Sequence, residues 1–135
     1  MSKIVIYTDG GARNNPGPAG AGVVILKDGV VCAEVKKYLG EQTNNWAEYE
    51  AVVIALEKAK SIGITGDIEF RLDSKLVVEQ LKGNWKIKEP TLKPQVAKVK
   101  ALLADFGSVH FGYIPREENT EADRLVNEAI DHGVQ

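Results

Sequence analysis

The sequence predicts an α/β fold built on a five-stranded mixed sheet, in which three antiparallel strands are followed by parallel βα units. Three observations predict it. Asp28-Gly29 separates two strand-like segments, which is typical of a β-hairpin. After Asn45 the apolar residues fall at helical spacing, and helices then alternate with short apolar segments. Such strand–helix–strand units require parallel pairing through right-handed crossovers, which places helices on both faces of the sheet.

The elements are predicted in the order βββαβα(α)βα. The first strand is a short apolar run with β-branched residues that ends at Asp9, before the turn-rich loop GGARNNPGPAG. Gly63 and Gly66 close the first long helix, and Gly107 ends the third. The predicted strands cover residues 3–8, 22–27, 30–39, 68–72 and 109–114. The apolar residues that mark the helices lie within 46–59, 74–81, 96–106 and 122–130.

Length and composition bound the class of protein. The chain has 135 residues, of which 44% are hydrophobic and 27% charged, and this suits a single globular domain over 1–135. No apolar run approaches the roughly 20 residues of a membrane helix, and the N-terminal segment does not resemble a signal peptide. Cys32 is the one cysteine and is expected to be a small packed residue, which fits a reducing compartment. We therefore expect a cytoplasmic monomer with no membrane partner.

The net charge of −2 argues against a nucleic-acid partner, but the charge is unevenly distributed. Residues 82–100 contain six lysines and one acid, which gives +5, whereas residues 116–131 contain six acids and two arginines, which gives −4. This polarity suggests one surface for an anion and another for cations. A solvated helix face explains the lysines equally well.

Four carboxylates are expected at one edge of the sheet. Asp9 and Asp73 follow the first and fourth strands, which are predicted to be parallel neighbours, and functional groups gather at the carboxyl ends of such strands. Glu48 and Asp123 lie in the first turns of two helices that reach this edge if they pack back over the sheet. Each acid also has a structural explanation, as a capping-box, N-cap or turn residue.

Together the four acids favour a metal site. Clustered carboxylates repel one another, and hard oxygen ligands suit Mg²⁺ or Mn²⁺. No cluster of cysteine and histidine is present in the sequence, so zinc is not expected.

The segments around these acids resemble those of type 1 ribonuclease H, and in particular the compact form of archaea and some bacteria. They are YTDGGARNNPGPAGAG, TNNWAEYEAVVIALE, RLDSKLVVEQL and IPREENTEADRLVNEA, in the order of the family. The resemblance implies a ribonuclease H-like fold and an endonuclease that cuts the RNA strand of RNA/DNA hybrids, leaving 5′-phosphate and 3′-hydroxyl ends. It also implies two Mg²⁺ ions, with Mn²⁺ as a substitute. Asp9 would bridge both ions, Glu48 and Asp73 would complete one site, and Asp123 would support the other.

The same resemblance implies the substrate contacts. Small polar groups and backbone amides suit the wide minor groove with its 2′-hydroxyls. The expected contacts there are Gly10, Gly11, Arg13, Asn15, Asn44, Asn45, Ser74 and Lys75. Helix capping is an alternative role for Asn45.

An aromatic residue among lysines suits the DNA strand, which points to Trp85, Lys86 and Lys88. The alternative is that Trp85 fills the core. Arg116 is expected to contact a phosphate near the scissile bond, or else to form a surface ion pair with Glu117 or Glu121.

The sequence also departs from the family pattern. The extra basic helix of larger members is absent, and no histidine lies between residues 111 and 123, where many members carry a loop histidine. Glu41 stands where an arginine of the DNA phosphate pocket is usual, so cleavage of double-stranded RNA is also considered. A non-catalytic hybrid- or RNA-binding module on the same fold is the alternative function, and a DNA-directed nuclease or integrase of the superfamily is a third. The presence of all four acids favours the enzyme.

Overall fold

The structure is a computed structural model that describes residues 2–133. Met1, Val134 and Gln135 fall in the predicted domain 1–135 but lie outside the described residues. The element order agrees with the prediction. The strands are β1 (Ile4–Ala12), β2 (Gly17–Lys27), β3 (Val30–Gln42), β4 (Ile68–Leu72) and β5 (Val109–Tyr113). The α-helices are α1 (Asn44–Ser61), α2 (Lys75–Leu81), α3 (Lys93–Leu103) and α4 (Thr120–Gly133), with 3₁₀ turns at Pro90–Leu92 and Arg116–Glu118.

The five strands form one mixed sheet in the order β3-β2-β1-β4-β5. β1 pairs antiparallel with β2 and β2 antiparallel with β3, whereas β4 pairs parallel with both β1 and β5. Asp28 and Gly29 form the β2–β3 turn with positive φ angles of 53° and 82°, the conformation that a two-residue hairpin turn requires. The predicted mixed sheet and the parallel pairing of β1 with β4 are therefore confirmed.

The first hairpin is longer than predicted. β1 continues through Ala12 and β2 begins at Gly17, so most of the segment predicted as a loop belongs to the sheet, and the connection covers only residues 13–16. Small residues fill these strand ends, and they lack the apolar alternation by which a strand is predicted. β3 also extends beyond the prediction, to Gln42, and α3 ends at Leu103, before Phe106.

Helices cover both faces of the sheet. α1 and α3 lie on one face, where Ile6, Ile25 and Phe70 belong to the buried core. α4 lies on the other face, against β2 and β3. A Cβ at Gly22 would collide with the Ala122 carbonyl oxygen, so only glycine lets α4 approach β2 this closely.

Two further observations concern the surface. Cys32 is exposed in β3, so the expectation that it is packed is wrong, because β3 is an edge strand. No helix among residues 2–133 is long and apolar enough to cross a membrane.

Candidate active site

Asp9 and Asp73 are brought together by the end of parallel pairing between β1 and β4. The last paired residues are Thr8 and Leu72, and the two aspartates follow them directly. The sequence predicts that the first strand ends at Asp9, but β1 continues beside β2, where Asp9 lies opposite Gly22. The carboxylates are adjacent because the strands that carry them part at this point.

Glu48 reaches the same place from α1. The helix crosses β1 at Gly10, where a Cβ would collide with the Ala47 carbonyl oxygen, so glycine is required for this close approach. Glu48 is buried in the first turns of α1, and the Gly10 backbone N–H stabilises its charged form. The contact between Gly10 and Ala47 therefore sets the position of the Glu48 carboxylate against Asp9.

Neither Glu48 nor Asp73 acts as a helix cap. Thr43 caps α1, since its hydroxyl accepts a hydrogen bond from the Trp46 N–H at 3.2 Å. Ser74 caps α2 in the same way, accepting from the Val77 N–H at 3.3 Å. The structural explanations that the sequence allowed for these two acids, and the capping role for Asn45, are therefore wrong.

The three carboxylates form a tight group in which Asp9 and Glu48 are buried and Asp73 is half-buried. Ligand oxygens of Asp9, Glu48 and Asp73 all lie within 4.8 Å of one another. Asp9 and Glu48 are only 7% and 8% exposed. Burial, with repulsion from Asp73 and Asp123, raises the pKa of Asp9 to about 7. Burial and the charge of Asp9 raise the pKa of Glu48 well above its usual range, and burial also raises the pKa of Asp73.

The donor set fits a hard divalent cation. One oxygen of Glu48, Oε2, is buried and accepts no hydrogen bond from any of residues 2–133. An unpaired buried carboxylate oxygen is costly, and its neighbours here are further acids. A cation among them would remove both the repulsion and the unpaired oxygen, and oxygen-only ligands suit Mg²⁺ or Mn²⁺.

Asp123 lies outside this tight group but lines the same cleft. It is in the first turn of α4, whose approach to β2 over Gly22 brings it toward Asp9. The charge of Asp123 contributes to the raised pKa of Asp9, so the two carboxylates interact across the cleft. The cleft has a volume of about 510 Å³.

The chain is similar to several known proteins. Residues 7–129 match a family model described as Reverse transcriptase-like. The bifunctional protein Rv2228c of Mycobacterium tuberculosis is 44% identical over 98% of this chain, and ribonuclease HI of Halobacterium salinarum is 42% identical over 96%. The chain spans 37% and 65%, respectively, of the lengths of these relatives.

A solved structure of LC11-RNase H1 in complex with an RNA/DNA hybrid matches with a TM-score of 0.94 and 49% identity, covering 98% of this chain and 100% of that one. The chain belongs to the type 1 ribonuclease H family. The fold of this ribonuclease H chain thus agrees with the resemblance seen in the sequence.

Most of the expected substrate contacts of this ribonuclease H line the carboxylate cleft. They are Gly10, Gly11, Arg13, Asn44, Asn45, Ser74 and Arg116. A Cβ at Gly11 would meet no atom closer than 3.9 Å, so the backbone there is open to a ligand.

Asn15 and Lys75 do not line the cleft. Asn15 instead accepts a hydrogen bond from the Asn44 N–H at 2.9 Å, and Asn44 Oδ1 accepts one from the Ala12 N–H at 2.7 Å. These bonds fix the β1–β2 connection to the start of α1. Lys75 is exposed at the start of α2.

The two arginines of the cleft differ. Arg13 forms an ion pair with Asp131 at 2.6 Å and donates to Asn127, so its guanidinium is already engaged. Arg116 forms no ion pair with Glu117 or Glu121, which excludes the surface-pair alternative in this structure. Its charge instead stabilises ionised Asp73.

Trp85 lies in a second groove of about 600 Å³ beside the cleft. It is 45% exposed, so the alternative in which it fills the core is wrong. Lys86, Lys88 and Asn84 line the same groove, and Asn45 lines both this groove and the cleft. The two grooves therefore adjoin at Asn45.

Sequence reasoning missed Asn119, which is 1% exposed between the Arg116–Glu118 turn and α4. Its Nδ2 donates to the Thr8 carbonyl oxygen at 2.9 Å, next to Asp9. In the sequence, the one feature that points to Asn119 is its place four positions before Asp123, and an asparagine at such a place suggests only a helix cap.

Proposed function

We propose that this chain is a metal-dependent endonuclease that hydrolyses the RNA strand of RNA/DNA hybrids and leaves 5′-phosphate and 3′-hydroxyl ends. The observation that carries the proposal is the close group of Asp9, Glu48 and Asp73, whose ligand oxygens lie within 4.8 Å of one another in a cleft of a ribonuclease H fold. The bound hybrid of LC11-RNase H1, which is 49% identical, supports the choice of substrate.

Asp9, Glu48, Asp73 and Asp123 would hold two Mg²⁺ ions, with Mn²⁺ as a substitute. When bound, the ions would supply an activated water and stabilise the leaving 3′-oxygen. The protein buries Asp9 and Glu48 and holds them close to half-buried Asp73, so their charges would act strongly on a bound cation, which in turn would offset the charge of the phosphate to be cut. Asp123 approaches from the opposite face of the sheet on α4 and closes the cleft beside Asp9.

The chain's own groups would orient the two strands. The open backbone at Gly11 and the polar groups of Asn44, Asn45 and Ser74 suit the 2′-hydroxyls of the RNA strand. Trp85, with Lys86 and Lys88, suits the sugars and phosphates of the DNA strand in the adjoining groove. Arg116 would bind a phosphate at the cleft, because its guanidinium is exposed and free of ion pairs among the described residues.

Labelled hybrid, double-stranded RNA and DNA duplex, each incubated with Mg²⁺, Mn²⁺ or a chelator, test the proposal. We expect the RNA strand of the hybrid to be cut only with metal, with 5′-phosphate ends. Asp9→Asn protein, shown to be folded by circular dichroism, is the control and should not cut. Metal-independent cleavage, or none with a folded wild-type protein, contradicts the proposal. Binding without cleavage would instead favour the non-catalytic module.

We further propose double-stranded RNA as a secondary substrate. Glu41, where the family usually has an arginine for a DNA phosphate, is exposed near the end of β3 and would repel that phosphate. A weaker preference for DNA in the second strand follows. The rate of hybrid cleavage divided by the rate of double-stranded RNA cleavage should therefore be higher for Glu41→Arg than for wild type.

A single catalytic domain that acts as a cytoplasmic monomer is also part of the proposal. One exposed cysteine and no internal disulfide fit a reducing compartment. Size-exclusion chromatography with light scattering tests the monomer, and fractionation of the source cells tests the location.

A further inference from the structure

Asn119 is a buried polar residue at a junction of the active site. It lies between the turn that contains Arg116 and the helix that contains Asp123, and only 1% of its surface is exposed. Buried amides are retained in proteins when their hydrogen bonds are used. The partners of Asn119 therefore indicate what it does.

The side chain of Asn119 bonds to β1 at the point where β1 and β4 part. Nδ2 donates to the Thr8 carbonyl oxygen at 2.9 Å, and Thr8 is the last residue of β1 that pairs with β4. The amide thus bonds to the backbone of β1 one residue before Asp9. This bond fixes the direction in which β1 leaves the parallel ladder.

The same side chain acts on the neighbouring strand. Asn119 stabilises the charged form of Asp73, the residue that follows β4. Since a carbonyl oxygen only accepts hydrogen bonds, the bond to Thr8 fixes which end of the amide is Nδ2. The other end, Oδ1, is buried and has no donor among residues 2–133.

The backbone of Asn119 organises the other two groups of the cleft. Its carbonyl oxygen accepts from the Asp123 N–H at 3.1 Å, which opens α4. Its N–H donates to the Arg116 carbonyl oxygen at 3.0 Å, which closes the preceding turn. One residue is therefore bonded to the segments that carry Asp9, Asp123 and Arg116.

We propose that Asn119 is a positioning residue that fixes Asp123 and Arg116 relative to the Asp9–Asp73 pair and thereby sets cation affinity and turnover. This inference rests on the proposed function. Residues that orient metal ligands without binding the metal typically change affinity or activity by about 10- to 100-fold when replaced.

Asn119→Ala and Asn119→Leu test the proposal. Asn119→Leu keeps the branched shape of the side chain, so it provides a folded comparison if the truncation unfolds the chain, and it has no group that can donate to Thr8. Val99→Ala, in the buried face of α3 and outside the cleft, is the control for general destabilisation. Thermal melts show that each protein is folded at the assay temperature. Calorimetric titration with Mn²⁺ then measures cation affinity without any cleavage, and steady-state kinetics with hybrid give kcat and KM.

Both Asn119 variants should bind Mn²⁺ about 10-fold or more weakly and lose about 10-fold or more in kcat, with KM changed by less than about 3-fold. Val99→Ala should change none of these. Wild-type Mn²⁺ affinity and kcat in either folded Asn119 variant would overturn the proposal and leave a purely structural role. If the wild-type protein cuts no hybrid, the proposed function fails, whereas the Mn²⁺ titrations still decide the role of Asn119.

Discussion

Replacing Asp9 by Asn should stabilise the metal-free protein at alkaline pH while abolishing cleavage. Asp9 is 7% exposed and shares its surroundings with Glu48 and Asp73, so its charge is unfavourable in the folded protein when no cation is present. Asn has nearly the same shape as Asp and carries no charge. The variant therefore removes the repulsion and leaves the packing around β1 unchanged.

The size and direction of the effect follow from the pKa of Asp9. Burial raises this pKa from 3.8 to about 7, so the folded protein holds the proton more tightly than the unfolded chain. The resulting stabilisation is fully present below about pH 4 and is lost as the pH rises through about 7. A pKa change of this size corresponds to a ceiling of about 4 kcal/mol in the free energy of unfolding. The protonation of Asp9 and that of Glu48 depend on each other, so part of this energy is shared between them. We therefore expect the free energy of unfolding of the variant to be about 1–4 kcal/mol higher than that of wild type.

Urea denaturation in EDTA at pH 5 and pH 8 measures this gain. At pH 8 Asp9→Asn should be more stable than wild type, and at pH 5 the difference should shrink because Asp9 is then largely protonated. Saturating Mg²⁺ should stabilise the wild type at pH 8 but not the variant. Glu57→Gln, at an exposed position of the same helix as Glu48, is the matched control and should change stability by less than about 0.5 kcal/mol. Lower stability of Asp9→Asn than of wild type at pH 8 would refute the reasoning.

Three further predictions concern the cleft and its neighbours. Trp85→Ala should weaken hybrid binding by about 5- to 100-fold, measured by fluorescence anisotropy, with little change in melting temperature because Trp85 is 45% exposed; unchanged affinity would exclude a DNA contact. Arg116→Ala should lower single-turnover cleavage by about 10-fold or more without changing stability, since no ion pair is lost; a drop in melting temperature with normal cleavage would contradict this. Gly10→Ala should destabilise the protein by more than about 2 kcal/mol in urea, because its Cβ collides with the Ala47 carbonyl, whereas Gly66→Ala, where a Cβ meets no atom within 4 Å, should cost less.

The sequence predicts the Asp9–Asp73 pair because the argument needs only topology. Two apolar strands with a helical crossover between them must be parallel, and residues that follow parallel neighbours meet at one edge. The register of Thr8 with Leu72 places the two acids side by side as this reasoning requires. Any sequence with the same strand pattern would place its residues in the same way, so the prediction did not depend on side-chain packing.

The rest of the site depends on contacts that no local pattern reveals. Whether Glu48 caps α1 or faces Asp9 is decided by Thr43, which starts the helix earlier than Asn45 and turns Glu48 toward the sheet. Whether Trp85 is buried depends on how α2 and the Pro90–Leu92 turn pack, because Leu76 and Leu92 line the groove in which Trp85 lies. The bond from Asn119 to Thr8 spans 111 positions, so nothing near Asn119 in the sequence indicates it.

The carboxylate group opposes the stability of the fold that carries it, and two glycines explain how it persists. Gly10 lets α1 contact β1 from one face, and Gly22 lets α4 contact β2 from the other. Both contacts bury apolar helix faces over the sheet, and this burial holds Glu48 and Asp123 near Asp9 in spite of their repulsion. The repulsion acts only among the carboxylates and depends on pH, whereas the packing of the helices extends over the sheet and does not depend on pH. The ligands are therefore already in place before a cation binds, and the cation has only to relieve their electrostatic repulsion. Because the site reorganises little on binding, little of the binding free energy is lost.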